Sequence, residues 1–278
     1  MNGLFIVGNK RSGSTHLMHL LNLHDEVFVS NESDIVWILY NYHNNKEIEP
    51  YPYGSPAGMN QSLEIAGHIL DKNASVRENF EKYQRHLMEK GFLSEKASHK
   101  KSLKYIGDQK PYQNIDPTMM PFIIKNFPNA KFIHLVRHPF EVVRSSMKFA
   151  NGTGGFIWKN MSPEQIMEKW EMHENWVKDA RKKYDLDIID LRYDRLISNP
   201  KKEMARIFKF LGVNFDSNLL NNCKEITKPN FKPITTYNLT KSQKQLLKEY
   251  NMKTSFSWLD LKVFPKISRY YYRAFKNR

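Results

Sequence analysis

Eight residues near the start, Gly8-Asn9-Lys10-Arg11-Ser12-Gly13-Ser14-Thr15, carry the glycine spacing of a phosphate-binding loop, G-x-x-x-x-G. The five residues before them, Gly3-Leu4-Phe5-Ile6-Val7, read as a buried strand. A strand that enters such a turn and leaves it as a helix aims backbone N–H groups and the positive end of a helix at one point. Ser12, Ser14 and Thr15 add three hydroxyls and Arg11 adds a forked cation, so capture of a phosphate or sulfate is the chemistry expected here. Where a nucleotide hydrolase carries its loop lysine this chain has Ser14, and the cations come earlier, at Lys10 and Arg11. A nucleotide hydrolase also holds Mg²⁺ with an aspartate on a second core strand. The next clear core strand here, Lys131–Val136, instead runs into Arg137-His138-Pro139. Cations without metal-holding acids suit a ligand neutralised directly by protein groups, which weakens an ATPase or kinase reading.

The elements that must position these residues alternate along the chain. Strand-like runs at 4–8, 104–106, 131–136 and 187–191 are separated by helix-like stretches at 14–23, 61–70, 76–90, 117–126, 139–149, 163–183 and 201–211. That alternation predicts an α/β fold, a central and mostly parallel sheet flanked by helices. The clearest helix start is Ser162-Pro163-Glu164-Gln165, an N-cap followed by proline and an acid, and the clearest stop is Gly212. Stretches 42–61 and 151–160 read as loops, and long loops at the C-terminal ends of parallel strands line ligand sites. A single domain over residues 1–278 is expected, ending in a basic, aromatic segment from about 255 to 278.

Composition narrows the function classes. With 278 residues, 40% hydrophobic and 26% charged, the chain can bury a sizeable core and has no long disordered stretch. Its one cysteine, Cys223, excludes an internal disulfide and fits a reducing compartment or simple indifference to redox. No apolar run approaches the roughly 20 residues that cross a bilayer, and no leader precedes the loop, so a cytoplasmic protein is expected. The net charge of +14 fits a lysine-rich solvated surface or a site for a polyanionic small molecule. No motif for reading or stacking bases is visible, so no nucleic-acid partner is expected.

Three segments in order resemble the sulfotransferases that use 3′-phosphoadenosine 5′-phosphosulfate (PAPS). "GNKRSGSTHLMHLLNLH" resembles the family's 5′-phosphosulfate loop, P-R-S-G-T-T-x-L. "KFIHLVRHPFEVVRSSMKF" resembles its 3′-phosphate segment, and "IIDLRYDRLISNPKKEMARIFKFLGV" its R-Y-E-D-L-x-x-x-P segment with the following helix. The resemblance, closest to the bacterial and protein-tyrosine branch, implies a P-loop-type sheet that binds PAPS and releases 3′,5′-phosphoadenosine (PAP). It implies that Ser12, Gly13, Ser14 and Thr15 cradle the 5′ end and that Arg11 meets the sulfonate and its bridging oxygen. It also implies that Arg137 and Ser145 grip the 3′-phosphate and that Tyr193 lies near the nucleotide, although a core tyrosine fits that position as well. Two positions depart from the pattern: Lys10 replaces the usual proline, and in Gly107-Asp108-Gln109-Lys110-Pro111 the lysine is displaced by one residue. Whether Lys110 reaches the leaving group stays open.

In-line sulfuryl transfer needs a group to take the acceptor's proton and a cation over the departing oxygen. Arg11 is the candidate cation. Glu32, 21 residues after Arg11 and just past the run 27–29, is the candidate base, at the spacing the same branch uses. "SNESD" also reads as a helix-capping segment, so a structural role for Glu32 stands beside the catalytic one. The competing bases are His16, His19, His24 and Asp34, while His134 is buried in a strand. His16 and His19 have the spacing of a metal pair, but no third ligand follows and no metal site is expected. The acceptor class is open among small molecules, lipids, glycans and peptides, through a hydroxyl or else an amine. The segment 255–278 either packs its aromatics on the sheet or contacts a membrane surface. The rival functions are a P-loop kinase and a non-catalytic nucleotide- or polyanion-binding module.

Overall fold

Leu4, Phe5, Ile6 and Val7 are all fully buried because β1 (Asn2–Gly8) runs through the middle of a sheet covered on both faces. Side chains alternate along the strand: Phe5 and Val7 join one core cluster, Leu4 and Ile6 the other. A strand buried on both sides reads as continuous apolar sequence, which is why this one was visible without any alternation of polarity. Phe5 anchors its face, with ring centroids 5.9, 5.4 and 5.7 Å from those of Phe80, Phe127 and Phe132. The structure is a computed structural model that describes residues 1–49, 51, 56–93, 95–150, 159–222 and 237–254.

Beside β1 lie β2 (Val27–Asn31), β3 (Tyr105–Gln109), β4 (Lys131–Val136) and β5 (Ile188–Arg192). The order is β2-β3-β1-β4-β5 and every pairing is parallel, which is the α/β fold expected. Chain order reverses at β1, between β3 and β4, so the crevice outside the C-terminal ends of these three strands is where such sheets bind ligands. The helices are α1 (Ser14–Asn22), α2 (Ile35–His43), α3 (Pro56–Ile69), α4 (Val76–Lys90), α5 (Met120–Asn126), α6 (Pro139–Ala150), α7 (Pro163–Tyr184), α8 (Tyr193–Ser198), α9 (Pro200–Leu211) and α10 (Lys241–Glu249). α1 and α9 cover the Leu4/Ile6 face, while α2, α4 and α5 cover the Phe5 face.

Several boundaries differ from expectation. β3 continues to Gln109 through two polar residues, Asp108, which is bonded inside the protein, and Gln109, which donates to Ser14 of the glycine loop. The stretch expected as a loop at 42–61 contains the start of α3, whose first turn, Pro-Ala-Gly-Met-Asn, lacks the apolar period of a helix. α2 was read only as a capping alternative, because Ile35, Val36, Ile38 and Leu39 are all buried and give no amphipathic stripe. α8, α10 and a 3₁₀ turn at Ser217–Asn222 were not anticipated. Of the sequence readings, those on 151–158, Cys223 and 255–278 lie outside the described residues.

Candidate active site

The glycine loop between β1 and α1 is shaped by two left-handed residues, Arg11 (φ 66°) and Gly13 (φ 95°). Gly13 is the N-cap of α1 and gives it no side-chain cap, so the first-turn N–H groups of the helix are left for another acceptor. No larger residue fits there: a Cβ on Gly13 would stand 2.3 Å from the Tyr193 ring. Ser12 is 1% exposed, and its Oγ has no hydrogen-bond partner among the described residues. Ser14 Oγ accepts from Gln109 Nε2, whereas Thr15 is exposed at the start of the helix.

Arg11 and Arg137 meet across this loop. Arg137 Nη1 donates to the Arg11 carbonyl at 2.8 Å, and Arg11 Nε donates to Ser145 Oγ at 3.3 Å. Arg137 also donates through Nε to Glu141 at 3.2 Å, and its guanidinium lies 4.3 Å over the Tyr193 ring. Tyr193 thus supports both the loop glycine and the second arginine. The neighbour of Ser145, Ser146, points into the protein and is fully buried. Burial lowers the pKa of Arg11, the charge of Arg137 lowers it further, and Glu32 opposes both. Arg11, Arg137, Ser145 and Tyr193 therefore converge on one loop.

Glu32 sits at the C-terminal end of β2 in a second strained turn, with Glu32 at φ 48° and Asp34 at φ 54°. Residues held in this region cost about 1–3 kcal/mol each and persist only where their surroundings fix them. Here the Glu32 N–H donates to the Gln109 carbonyl at 3.1 Å, and the Ser33 and Ser30 hydroxyls donate to Asp108 Oδ1 at 2.8 and 3.2 Å. Asp108 is fully buried, and that burial pushes its carboxyl up to about 6 against the pull of Ser33 and Lys110. Asp34 forms a buried ion pair with Lys110 and accepts from Gln113 Nε2 at 3.1 Å.

These contacts place the alternatives. Lys110 and Asp34 neutralise each other inside the protein. His19 lies 3.6 Å from Glu95, and His24 Nε2 meets the Asn214 carbonyl. His134 is buried between Glu174 and Asp190. His16 lies half-buried on α1, and among the described residues no three His, Cys, Asp or Glu side chains gather as a metal site. Lys10, which the sequence counts with Arg11 as a loop cation, places its ammonium 4.0 Å over the Tyr112 ring. Burial lowers the Lys10 pKa to about 8, with Glu32 opposing and Lys110 adding to the fall. Sequence reasoning missed Asn9, Gln109 and Phe149, the last 4.3 Å from the Arg11 guanidinium. Only Asn9 and Gln109 carried a signal, as polar residues at the ends of core strands.

The family model described as "Sulfotransferase family" matches residues 3–217, a span that holds both arginines, Ser145, Tyr193 and Glu32. The chain belongs to that family. As a sulfotransferase-family chain it is similar to a protein-tyrosine sulfotransferase of Drosophila melanogaster, 30% identical over 154 residues, which cover 52% of this chain and 29% of the relative. Protein-tyrosine sulfotransferase A of Caenorhabditis elegans is 23% identical over 262 residues, covering 92% of this chain and 60% of the relative. This chain thus spans less than two thirds of the length of these curated relatives. Among solved structures, the sulfotransferase domain from the curacin biosynthetic pathway superposes with a TM-score of 0.59 at 17% identity, covering 91% of this chain and 99% of that one. The sulfotransferase domain from the Synechococcus PCC 7002 olefin synthase gives 0.59 at 20%, covering 91% and 96%. At such identities the likeness establishes a shared fold.

Proposed function

We propose that this chain transfers the sulfuryl group of PAPS to a hydroxyl of an acceptor. One observation carries the reading: two sets of anion-binding groups are joined, since Arg137 donates to the Arg11 carbonyl at 2.8 Å while Arg11 donates to Ser145. A nucleotide with anionic groups at both its 5′ and 3′ positions requires such a pair of grips within one molecule's reach. The residues fit it in two further respects. The buried Ser12 Oγ has no partner among the described residues, and Gly13 leaves the N-terminus of α1 without a side-chain cap.

Ser12, Gly13, Ser14, Thr15 and Arg11 would hold the 5′ end, and Arg137 and Ser145 the 3′-phosphate, with Tyr193 behind both. When bound, the nucleotide supplies a sulfuryl group activated by its phosphate leaving group. Arg11 contributes a fixed cation where negative charge grows on the departing oxygen, desolvated so that it acts at full strength. Glu32 takes the proton of the acceptor hydroxyl, held in place by its strained turn. The strand residue that meets Ser14 is the amide Gln109, where a phosphotransferase of this loop type would need a carboxylate for its metal.

The acceptor is a small molecule, lipid, glycan or peptide. No helix among the described residues is long and apolar enough to cross a membrane. Thermal denaturation with PAP and, separately, with Mg²⁺-ATP tests the reading. At 100 times its dissociation constant PAP should add about 2.7 kcal/mol of stability. Stabilisation by Mg²⁺-ATP and not by PAP would overturn it.

A further inference from the structure

One turn of α7 touches both grips. Trp170, His173 and Glu174 fall at positions i, i+3 and i+4, on one helix face, and all three are buried. Trp170 Nε1–H donates to the Arg137 carbonyl at 3.0 Å, and the Trp170 carbonyl accepts from Asn9 Nδ2 at 3.2 Å. Asn9 follows the first loop glycine and is 3% exposed. Both ends of its amide are held: Nδ2 donates to Glu174 Oε1 at 2.7 Å, and Oδ1 lies 2.9 Å from His173 Nδ1. His173 is the donor in that contact. Burial, with the nearby Lys169 and Lys10 cations, pushes its pKa down to about 3, so it is neutral with its proton on Nδ1.

A second layer fixes Glu174. Its Oε2 lies 3.1 Å from His134 Nε2, and His134 Nδ1 lies 2.7 Å from Asp190, which is also paired with Arg181 of α7. The His134 ring lies beneath the entrance to the loop. A Cβ on Gly8 (φ 128°) would come within 3.4 Å of it and 2.8 Å of the Leu135 carbonyl. None of the side chains of Asn9, His134, Trp170, His173 or Glu174 is among those that would hold the nucleotide, yet together they tie the glycine loop to the turn bearing Arg137.

We propose that Asn9, Trp170 and Glu174 act as a positioning clamp that fixes the separation of the 5′ grip and the 3′ grip. The clamp rests on the PAPS reading above. A ligand held at two points benefits from the second contact only if the two sites are kept in register. Loosening the clamp should therefore erode the cooperation between the two phosphates more than either contact alone.

The test uses the full chain with Asn9→Ala and, separately, Trp170→Phe, which removes the indole N–H donor and shrinks the buried ring. Affinities are measured by calorimetry for PAP, adenosine 5′-monophosphate and adenosine 3′-monophosphate, beside thermal denaturation of each variant. The expected result is PAP binding weakened roughly tenfold, with each monophosphate weakened less than about threefold. Equal weakening of all three ligands, or unchanged PAP affinity in folded variants, overturns the clamp while leaving the nucleotide reading intact. A wild-type chain that does not bind PAP overturns the nucleotide reading, and the clamp with it. Should Asn9→Ala fail to fold, Trp170→Phe carries the same comparison.

Discussion

The glycine loop after β1 and the turn after β2 are built from similar materials to different ends. Both follow the C-terminal end of a parallel strand, and both hold non-glycine residues in the left-handed region: Arg11 in the first, Glu32 and Asp34 in the second. The loop directs donors outward, with Ser12 Oγ unpartnered among the described residues and α1 uncapped by any side chain. The β2–α2 turn is tied inward, with Ser30 and Ser33 donating to Asp108 and Asp34 accepting from Lys110. Strain thus serves two purposes here. In the loop it shapes a receptor for anions; in the turn it presents one carboxylate, Glu32, whose neighbours are all otherwise engaged.

The largest test of that contrast is Glu32→Gln. Turnover of PAPS should fall by about 10²–10⁴, while calorimetric PAP affinity should stay within about threefold of wild type. An equal loss of affinity would place Glu32 among the nucleotide contacts instead. Next comes Lys110→Met, which leaves Asp34 charged and unpaired in the interior and should cost about 3–5 kcal/mol in urea denaturation. Adding Asp34→Asn, which removes the charge and tolerates the left-handed backbone, should restore most of the loss. Failure to restore it would show that the inward polar contacts are not what holds the turn.

A pH test probes beneath the loop. Burial disfavours the charge on His134, but Glu174 and Asp190 outweigh it and push its pKa from 6.5 up to about 9. Because the folded value is the higher one, the stabilisation is complete below about pH 6.5 and is lost as pH rises through 9. The stability difference between wild type and His134→Gln should shrink by roughly 3 kcal/mol between pH 6 and pH 10. Taking the difference cancels Lys10 and Lys100, whose lowered pKa values act with opposite sign. A flat difference would remove the cationic bridge from under the loop. The smallest expected effect is Arg137→Ala, which removes a charged donor and should weaken PAP by about 1.5–3 kcal/mol. It should leave adenosine 5′-monophosphate nearly untouched.

Much of this was legible where a local signal exists. α4 runs Val76–Lys90 as read, set by the Ser75/Glu78 capping box, and Ser162 with Gln165 starts α7 in the same way. Gly212 ends α9 at φ 67°. The glycine loop, Arg137 and Glu32 were placed correctly at strand ends, where spacing and residue type are both informative, while the roles proposed for Arg137 and Glu32 came from the resemblance. The inward half of the site was not. The strand read at 104–106 stopped short of Asp108 and Gln109 because polar residues argue against a core strand, yet both lie within β3. Asn9 meets His173 and Glu174 across more than 160 positions of sequence, and nothing local at either end announces the contact. α10 escaped because its mostly charged and polar residues offer only Leu246 and Leu247 as an apolar pair.

A crystal structure of the chain with PAP tests the central idea most directly. The 5′-phosphate should lie within hydrogen-bonding distance of Ser12 Oγ, the first-turn N–H groups of α1 and Arg11, while the 3′-phosphate meets Arg137 and Ser145. A complex in which one nucleotide reaches only one of the two arginines, or binds away from the glycine loop altogether, would contradict it.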